Sequence, residues 1–199
     1  MLVEAIIDAD IAIKLGRFEK VKVLEEYIPR LVGVLYIHRH VYEKEIQEPG
    51  IAKEQIDTLI RNGHAIIVDV NTLNQEDPAK TSIYESTISL LRQNLKDTVE
   101  GRKNWGEIVS IAYAKAKGIT AFLSDESGLQ TLVDEHLNIG TSDMPSPYDI
   151  KVIRVRDFIL WLKDVGEKRK VAKFIWLGCG DRSELERRKK YFDENIWPI

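Results

Sequence analysis

Residues 105–125 read WGEIVSIAYAKAKGITAFLSD. Trp105–Lys117 is the best-defined helical stretch of the chain, rich in alanine and stopped by Gly118. Directly beyond it, Ala121–Leu123 forms a short buried strand that delivers Ser124-Asp125-Glu126. An acid, Glu107, stands in the first turn of the helix, and another, Asp125, follows the strand. Both features have counterparts elsewhere in the chain.

At the N-terminus, LVEAII over residues 2–7 is a β-compatible run ending on Asp8-Ala9-Asp10. The pattern then predicts a helix over 18–31, closed by Pro29 or Gly33, and a strand over Val32–Ile37. A helical stretch follows His38-Arg39-His40 through Gln47 and is broken by Pro49-Gly50. A helix over Ile51–Arg61, stopped by Asn62-Gly63, leads to a β-branched strand over Ala65–Val70. Residues 71–80 read as a loop, Ser82–Leu95 as an amphipathic helix, and 96–104 as a polar, exposed segment. After Asp125 come a helix over 128–137, a Pro/Gly/Ser loop over 140–149 and a last strand over Lys151–Val155. Three helices close the chain, over 156–163, 168–177 and 183–195, the last opened by a Ser183/Glu186 capping-box spacing. Strands alternating with helices predict an α/β fold, a three-layer α/β/α sandwich around a mostly parallel sheet. Residues 1–155 make the α/β domain, and 156–199 a helical extension packed on it, with Gly178-Cys179-Gly180 preceding the terminal helix.

The 199 residues suffice for one such domain with a substantial core. No apolar run is long enough to span a bilayer, which argues against a membrane partner. MLVEAIIDADIAI carries acids and no basic leader, so it reads as a first strand and not a signal peptide. A single cysteine, Cys179, excludes an internal disulfide and a cysteine-rich zinc site and points to a cytoplasmic location. Net charge is −3, yet residues 166–199 hold nine basic side chains against six acids. An acidic body with a basic tail suits a carboxylate metal site beside an RNA-binding flank, and equally a solvated helix face.

In a parallel sheet, sites gather at the carboxyl ends of the strands, where Asp8 and Asp125 both fall. Glu107 reaches the same edge if its helix starts there. Acids gathered from distant positions repel one another, and a cation relieves the repulsion. Oxygen donors in that number favour Mg²⁺ or Mn²⁺ over zinc. Each acid also has an ordinary structural role available: Glu107 as partner of Asn104 in a capping box, Asp125 as a helix cap, Asp8 as a turn residue. His38, His40, His64 and His136 lack HExxH spacing and read as surface or loop residues. Trp105, Trp161, Trp176 and Trp197 read as packing residues, with stacking on RNA open to Trp105.

The stretch Glu107–Asp125 resembles the signature of the PIN-domain family. There an acid opens an alanine-rich helix, a glycine ends it, and an apolar strand delivers a second acid eighteen residues on. Ala5-Ile6-Ile7-Asp8-Ala9 is similar to that family's opening strand, and the likeness covers about residues 1–155. The resemblance implies a metal-dependent endoribonuclease that hydrolyses phosphodiester bonds of single-stranded RNA. Asp8, Glu45, Glu107 and Asp125 would be its catalytic and Mg²⁺- or Mn²⁺-binding acids. Glu43 is the alternative to Glu45, which is followed by an apolar residue and lies one turn past Val41. Glu107 stands where aspartate is more usual, and Asp10 where a small hydroxyl or amide residue is. A toxin-like branch of the family would bring an antitoxin partner and a homodimer. Arg39, Arg102 and Lys103 are candidate phosphate contacts.

Two other classes compete. One is a PIN-like binding or scaffold protein without catalysis. The other is a receiver-like phosphoacceptor domain, which has the Asp8/Asp10 pair but lacks a suitable lysine after the last strand. GxGxxG, GxxxxGK[ST] and GxSxG motifs are absent.

Overall fold

A computed structural model describes residues 2–94, 104–140 and 144–198 of the chain. Five strands, β1 (Leu2–Ile7), β2 (Val32–His38), β3 (Ala65–Val68), β4 (Ala121–Leu123) and β5 (Lys151–Ile153), form one sheet in the order β3-β2-β1-β4-β5. All four pairings are parallel, with Ile7 beside Ile37 on one side and Leu123 on the other. The predicted α/β sandwich is the observed one.

Successive side chains of a strand point to opposite faces, and both faces of a parallel sheet are covered. Ala5, Ile7, Leu35, Ile37, Leu123 and Ile153 enter one buried cluster, while Ile6, Tyr36, Phe122 and Val152 enter a second. The first face is covered by α1 (Ala9–Gly16), α2 (Val23–Leu31), α3 (Gly50–Arg61), α8 (Val155–Asp164) and α9 (Arg169–Gly178). The second is covered by α4 (Val70–Glu76), α5 (Pro78–Asn94), α6 (Trp105–Lys117) and α7 (Leu129–His136). After α9 follow a 3₁₀ turn (Arg182–Glu184), α10 (Leu185–Tyr191) and a π-helical turn (Phe192–Ile196). Phe158, Ile175 and Phe192 lie in the same cluster as Ile7, so the segment after residue 155 completes a layer and builds no core of its own. No helix among the described residues is long and apolar enough to cross a membrane.

α6 is the buried centre of the second layer. Its alanines 112, 114 and 116 are all buried, and small side chains let a helix run close to a sheet. Gly118 ends it at φ 85°, its amide returning to the Ala114 carbonyl, a conformation that favours glycine.

Several local expectations are corrected. The helix predicted over 18–31 begins only at Val23 and keeps Pro29 inside it, losing one bond close to its end, and α1, over Ala9–Gly16, is a helix the pattern does not predict. Residues 71–80 are helical, not a loop. Asp69 caps α4 by accepting the Asn71 and Thr72 amides, while Thr72 accepts the Asp69 amide, and Pro78 starts α5 with its preset φ. The β3 strand therefore stops at Val68. The terminal turn is capped by Asp181, which accepts from the Ser183 amide at 2.7 Å, and not by a Ser183/Glu186 box. The tail of the Ser82–Leu95 prediction, the segment 96–103 and part of the 140–149 loop lie outside the described residues.

Candidate active site

β1 and β4 are neighbours in the sheet, and the chain leaves them toward opposite edges. Parallel α/β proteins place their ligands at such a switch of direction, by the strands' carboxyl ends. Asp8 follows β1 at that point and is 1% exposed. Its amide donates to the Leu123 carbonyl at 2.9 Å, fixing its backbone beside the end of β4. Although it precedes α1, its carboxylate makes no cap hydrogen bond. Oδ2 accepts from the Ser124 hydroxyl at 3.3 Å, while Oδ1 is buried with no hydrogen-bond partner.

Glu45 comes from a π-helical turn, Val41–Glu45, just after β2. Its Oε1 accepts from the Gly106 amide at 3.2 Å, in the first turn of α6, and stands 3.4 Å from His40 Nε2. A Cβ on Gly106 would lie 2.0 Å from Glu45 Oε2, so the carboxylate fills the space that a side chain there would take. Glu107 follows immediately. Asn104, at φ 67°, makes no side-chain cap bond, so the capping-box role open to Asn104 and Glu107 is not realised.

Electrostatics tie these acids together. Burial pushes Asp8 up to about 8, reinforced by the charges of Glu107, Glu45 and Asp10 and opposed by the nearby Ala9 amide. Glu45 is raised by burial and by Glu107, with the Gly106 amide pulling back. Glu107 is raised by burial and by Glu126 and Asp10. The side-chain charges that shift these three groups are other carboxylates.

Asp125 is placed differently. Its Oδ2 accepts from Lys14 Nζ at 2.8 Å, and the same ammonium donates to Asp10 at 2.8 Å. Arg154 adds a 2.8 Å bond to the Asp125 carbonyl and stands 3.6 Å from its carboxylate. Asp125 is thus neutralised at the rim and is not among the charges acting on Asp8. For Lys14, burial lowers the pKa, but the bonds to Asp10 and Asp125 outweigh it and raise it overall. Of the four predicted acids, Asp8, Glu45 and Glu107 are coupled electrostatically, while Asp125 is held in an ion-paired group with Lys14.

Glu43 is half-exposed and pairs with Arg39 at 3.3 Å, so Glu45 is the member of that pair turned toward Asp8. Arg39 also donates to Asp69 at 2.7 Å, which leaves it engaged by two carboxylates and not poised for phosphate. Arg102 and Lys103 lie outside the described residues. His38 is not a surface residue: it ends β2, is 6% exposed, and its Nε2 meets the Tyr84 hydroxyl at 3.1 Å. Trp105, Trp161, Trp176 and Trp197 pack against the two cores, as expected. Sequence reasoning missed Glu126 and Lys14. Glu126 adjoins a named acid, and Lys14 stands four residues after Asp10, a spacing that puts both on one helix face.

As they stand, no three His, Cys, Asp or Glu side chains among the described residues close around one point as a metal cage. The donor chemistry nevertheless suits a hard divalent cation: three mutually repelling carboxylates, one with a buried oxygen that nothing satisfies. Comparison with protein-family models, curated proteins and solved structures returns no match for this chain.

Gly106→Ala separates the site from the fold. Alanine suits a helix better than glycine, and the obstructing atoms are the far end of a flexible side chain. The variant is expected to unfold within about 1 kcal/mol of the parent, while a cation such as Mn²⁺ held by Glu45 would bind at least tenfold more weakly, because the carboxylate is displaced. Thermal melts and calorimetric titration check the two halves.

Proposed function

We propose that the chain is a metal-dependent ribonuclease that hydrolyses single-stranded RNA, with Asp8, Glu45 and Glu107 holding Mg²⁺ or Mn²⁺. The observation that carries this reading is the unpartnered Oδ1 of Asp8, buried among carboxylates at the switch point of a parallel sheet. RNA as substrate comes from the resemblance of Glu107–Asp125 to the PIN signature. When bound, such an ion lowers the pKa of a water molecule and offsets charge on the phosphate oxygens.

The chain's own groups divide the remaining work. The Ser124 hydroxyl orients Asp8 from below, and the Gly106 amide orients Glu45. Burial raises Asp8 to about 8, so at neutral pH it holds a proton that an arriving cation must displace. Lys14 and Arg154 balance the charges of Asp10 and Asp125 beside the three acids, so the rim adds little repulsion against an approaching phosphodiester. The reading predicts Mn²⁺-dependent shortening of a labelled single-stranded RNA, none in EDTA, and little action on duplex.

A second reading, RNA binding without cleavage, is favoured by the Lys14 ammonium, which already occupies a cation's place between Asp10 and Asp125. Mn²⁺ titration of the parent and of Lys14→Met distinguishes the two. Saturable binding by the parent, with the variant losing about 1 kcal/mol of metal-free stability, favours the nuclease. Binding by Lys14→Met alone favours the second reading, because the ammonium then stands where the metal would.

A further inference from the structure

Just beyond Asp125, between the start of α8 and the helices α9 and α10, lies a cavity of about 390 Å³. That is within the size range of small-ligand sites. Arg154, Arg156 and Arg188 line it, with Trp176 and Tyr191 as its aromatic wall. Two acids also line it: Asp125, which pairs with Lys14 and Arg154, and Asp157, which accepts the Arg154 amide at 2.9 Å. Three arginines against two carboxylates leave one net positive charge among the lining residues.

The wall is built rather than incidental. The Arg188 guanidinium lies 4.0 Å over the Trp176 ring, and one of its nitrogens donates to the Trp176 carbonyl at 2.6 Å. Trp176 returns a bond from its indole nitrogen to the Arg188 carbonyl at 3.0 Å. Arg188 Nε is buried without a partner. Tyr191 stacks on Trp176, centroids 6.1 Å apart, and remains 38% exposed. A second cavity of about 390 Å³ shares Trp176, Arg188 and Tyr191 and adds the ion-paired Arg187 and Glu184, so the trio stands between two hollows. Arginine forks fit phosphate oxygens, and exposed aromatic rings stack bases without sequence choice.

We propose that this cavity holds one nucleotide of the single-stranded RNA next to the scissile bond, its phosphate on Arg154, Arg156 and Arg188 and its base against Tyr191. The assignment rests on the ribonuclease reading for the identity of the ligand. It also gives the basic tail a specific role, because Arg188 is the cationic residue of that tail that reaches the rim of the carboxylate site through this cavity. A chain lying across Asp125 has the acids on one side and the arginine–aromatic wall on the other.

The test is binding of a fluorescein-labelled oligo-uridylate to the full chain in EDTA, where cleavage cannot occur. Arg156 and Tyr191 are exposed, so Arg156→Glu and Tyr191→Ala are the variants, with melting temperature as the check on folding. Arg156→Glu is expected to weaken binding at least tenfold and to reduce its salt dependence. Tyr191→Ala is expected to weaken it five- to fiftyfold, and uridine monophosphate to compete only at far higher concentration. Wild-type affinity in both variants, or no binding by the parent, overturns the assignment; loss in Arg156→Glu alone overturns the base-stacking half. The two proposals fail separately. RNA cut in Mn²⁺ with both variants binding normally removes the cavity's role and leaves the nuclease, whereas lost binding without any cleavage by the parent does the reverse.

Discussion

Asp8→Asn is expected to reduce Mn²⁺-dependent cleavage of single-stranded RNA by at least about 10³-fold, equivalent to about 4 kcal/mol of transition-state stabilisation. The substitution is nearly isosteric, so it opens no cavity, and asparagine can keep the contact with the Ser124 hydroxyl. What it removes is the negative charge on a buried oxygen that has no protein partner. An ordinary buried-aspartate substitution that breaks a satisfied bond would destabilise the fold. Here the metal-free variant should instead melt at or above the parent's temperature at pH 8, because the parent must then carry a charge that burial and Glu107 both oppose. Rate and melting temperature moving in opposite directions is the signature to look for. Lost activity together with a large drop in melting temperature would indicate a structural role for Asp8.

The second large effect is in the pH dependence of metal-free stability. Asp8 titrates at about 8 in the folded chain against 3.8 unfolded. Between those values the folded state holds a proton that the unfolded state has lost, so this contribution to stability is complete below pH 4 and disappears as pH rises toward 8. His38 acts in the opposite sense. Burial lowers it from 6.5 to about 4, so its contribution is gained as pH rises from 4 to 6.5 and is constant above that. Below pH 6.5 the two therefore oppose each other, and above it Asp8 acts without that opposition. From pH 6.5 to 8 the metal-free protein is expected to lose about 2 kcal/mol. Urea midpoints across that interval measure it. Asp8→Asn should flatten the slope, and Mn²⁺ should remove it by binding the ionised form. A stability that rises across this window in the metal-free parent contradicts the assignment of Asp8 as the strained acid.

Much of this is legible in the residues. The boundaries of Trp105–Lys117 and Ala121–Leu123 follow from periodicity and Gly118, and the placement of Asp8 and Asp125 at strand ends follows from the strands that precede them. α4 escapes such a reading because Asp69 and Thr72 look like loop residues until one sees that they satisfy each other's amides. The same polar chemistry serves caps and loops, and only the chain that follows decides between them. Helical facing favours Glu45 over Glu43, but the turn is π-helical, so the decisive fact is the space above Gly106. The divergence of Asp125 needs three dimensions. Lys14 is 111 residues away from it, and no local pattern shows that an ammonium fills the space between them. Nor does a count of basic residues in the tail single out Arg188, whose position depends on how α10 packs against Trp176.

The central claim is that Asp8, Glu45 and Glu107 form a site for one divalent cation. Calorimetric titration of Mn²⁺ into the metal-free chain at pH 7, repeated in two buffers of different ionisation enthalpy, counts both the ions bound and the protons released. The account predicts saturable binding with about one proton displaced per ion, as expected when a carboxyl that titrates near 8 must ionise to become a ligand. Asp8→Asn should lose both the binding and the proton release. No saturable binding by the parent, or the same binding with Asp8 replaced, would contradict the account.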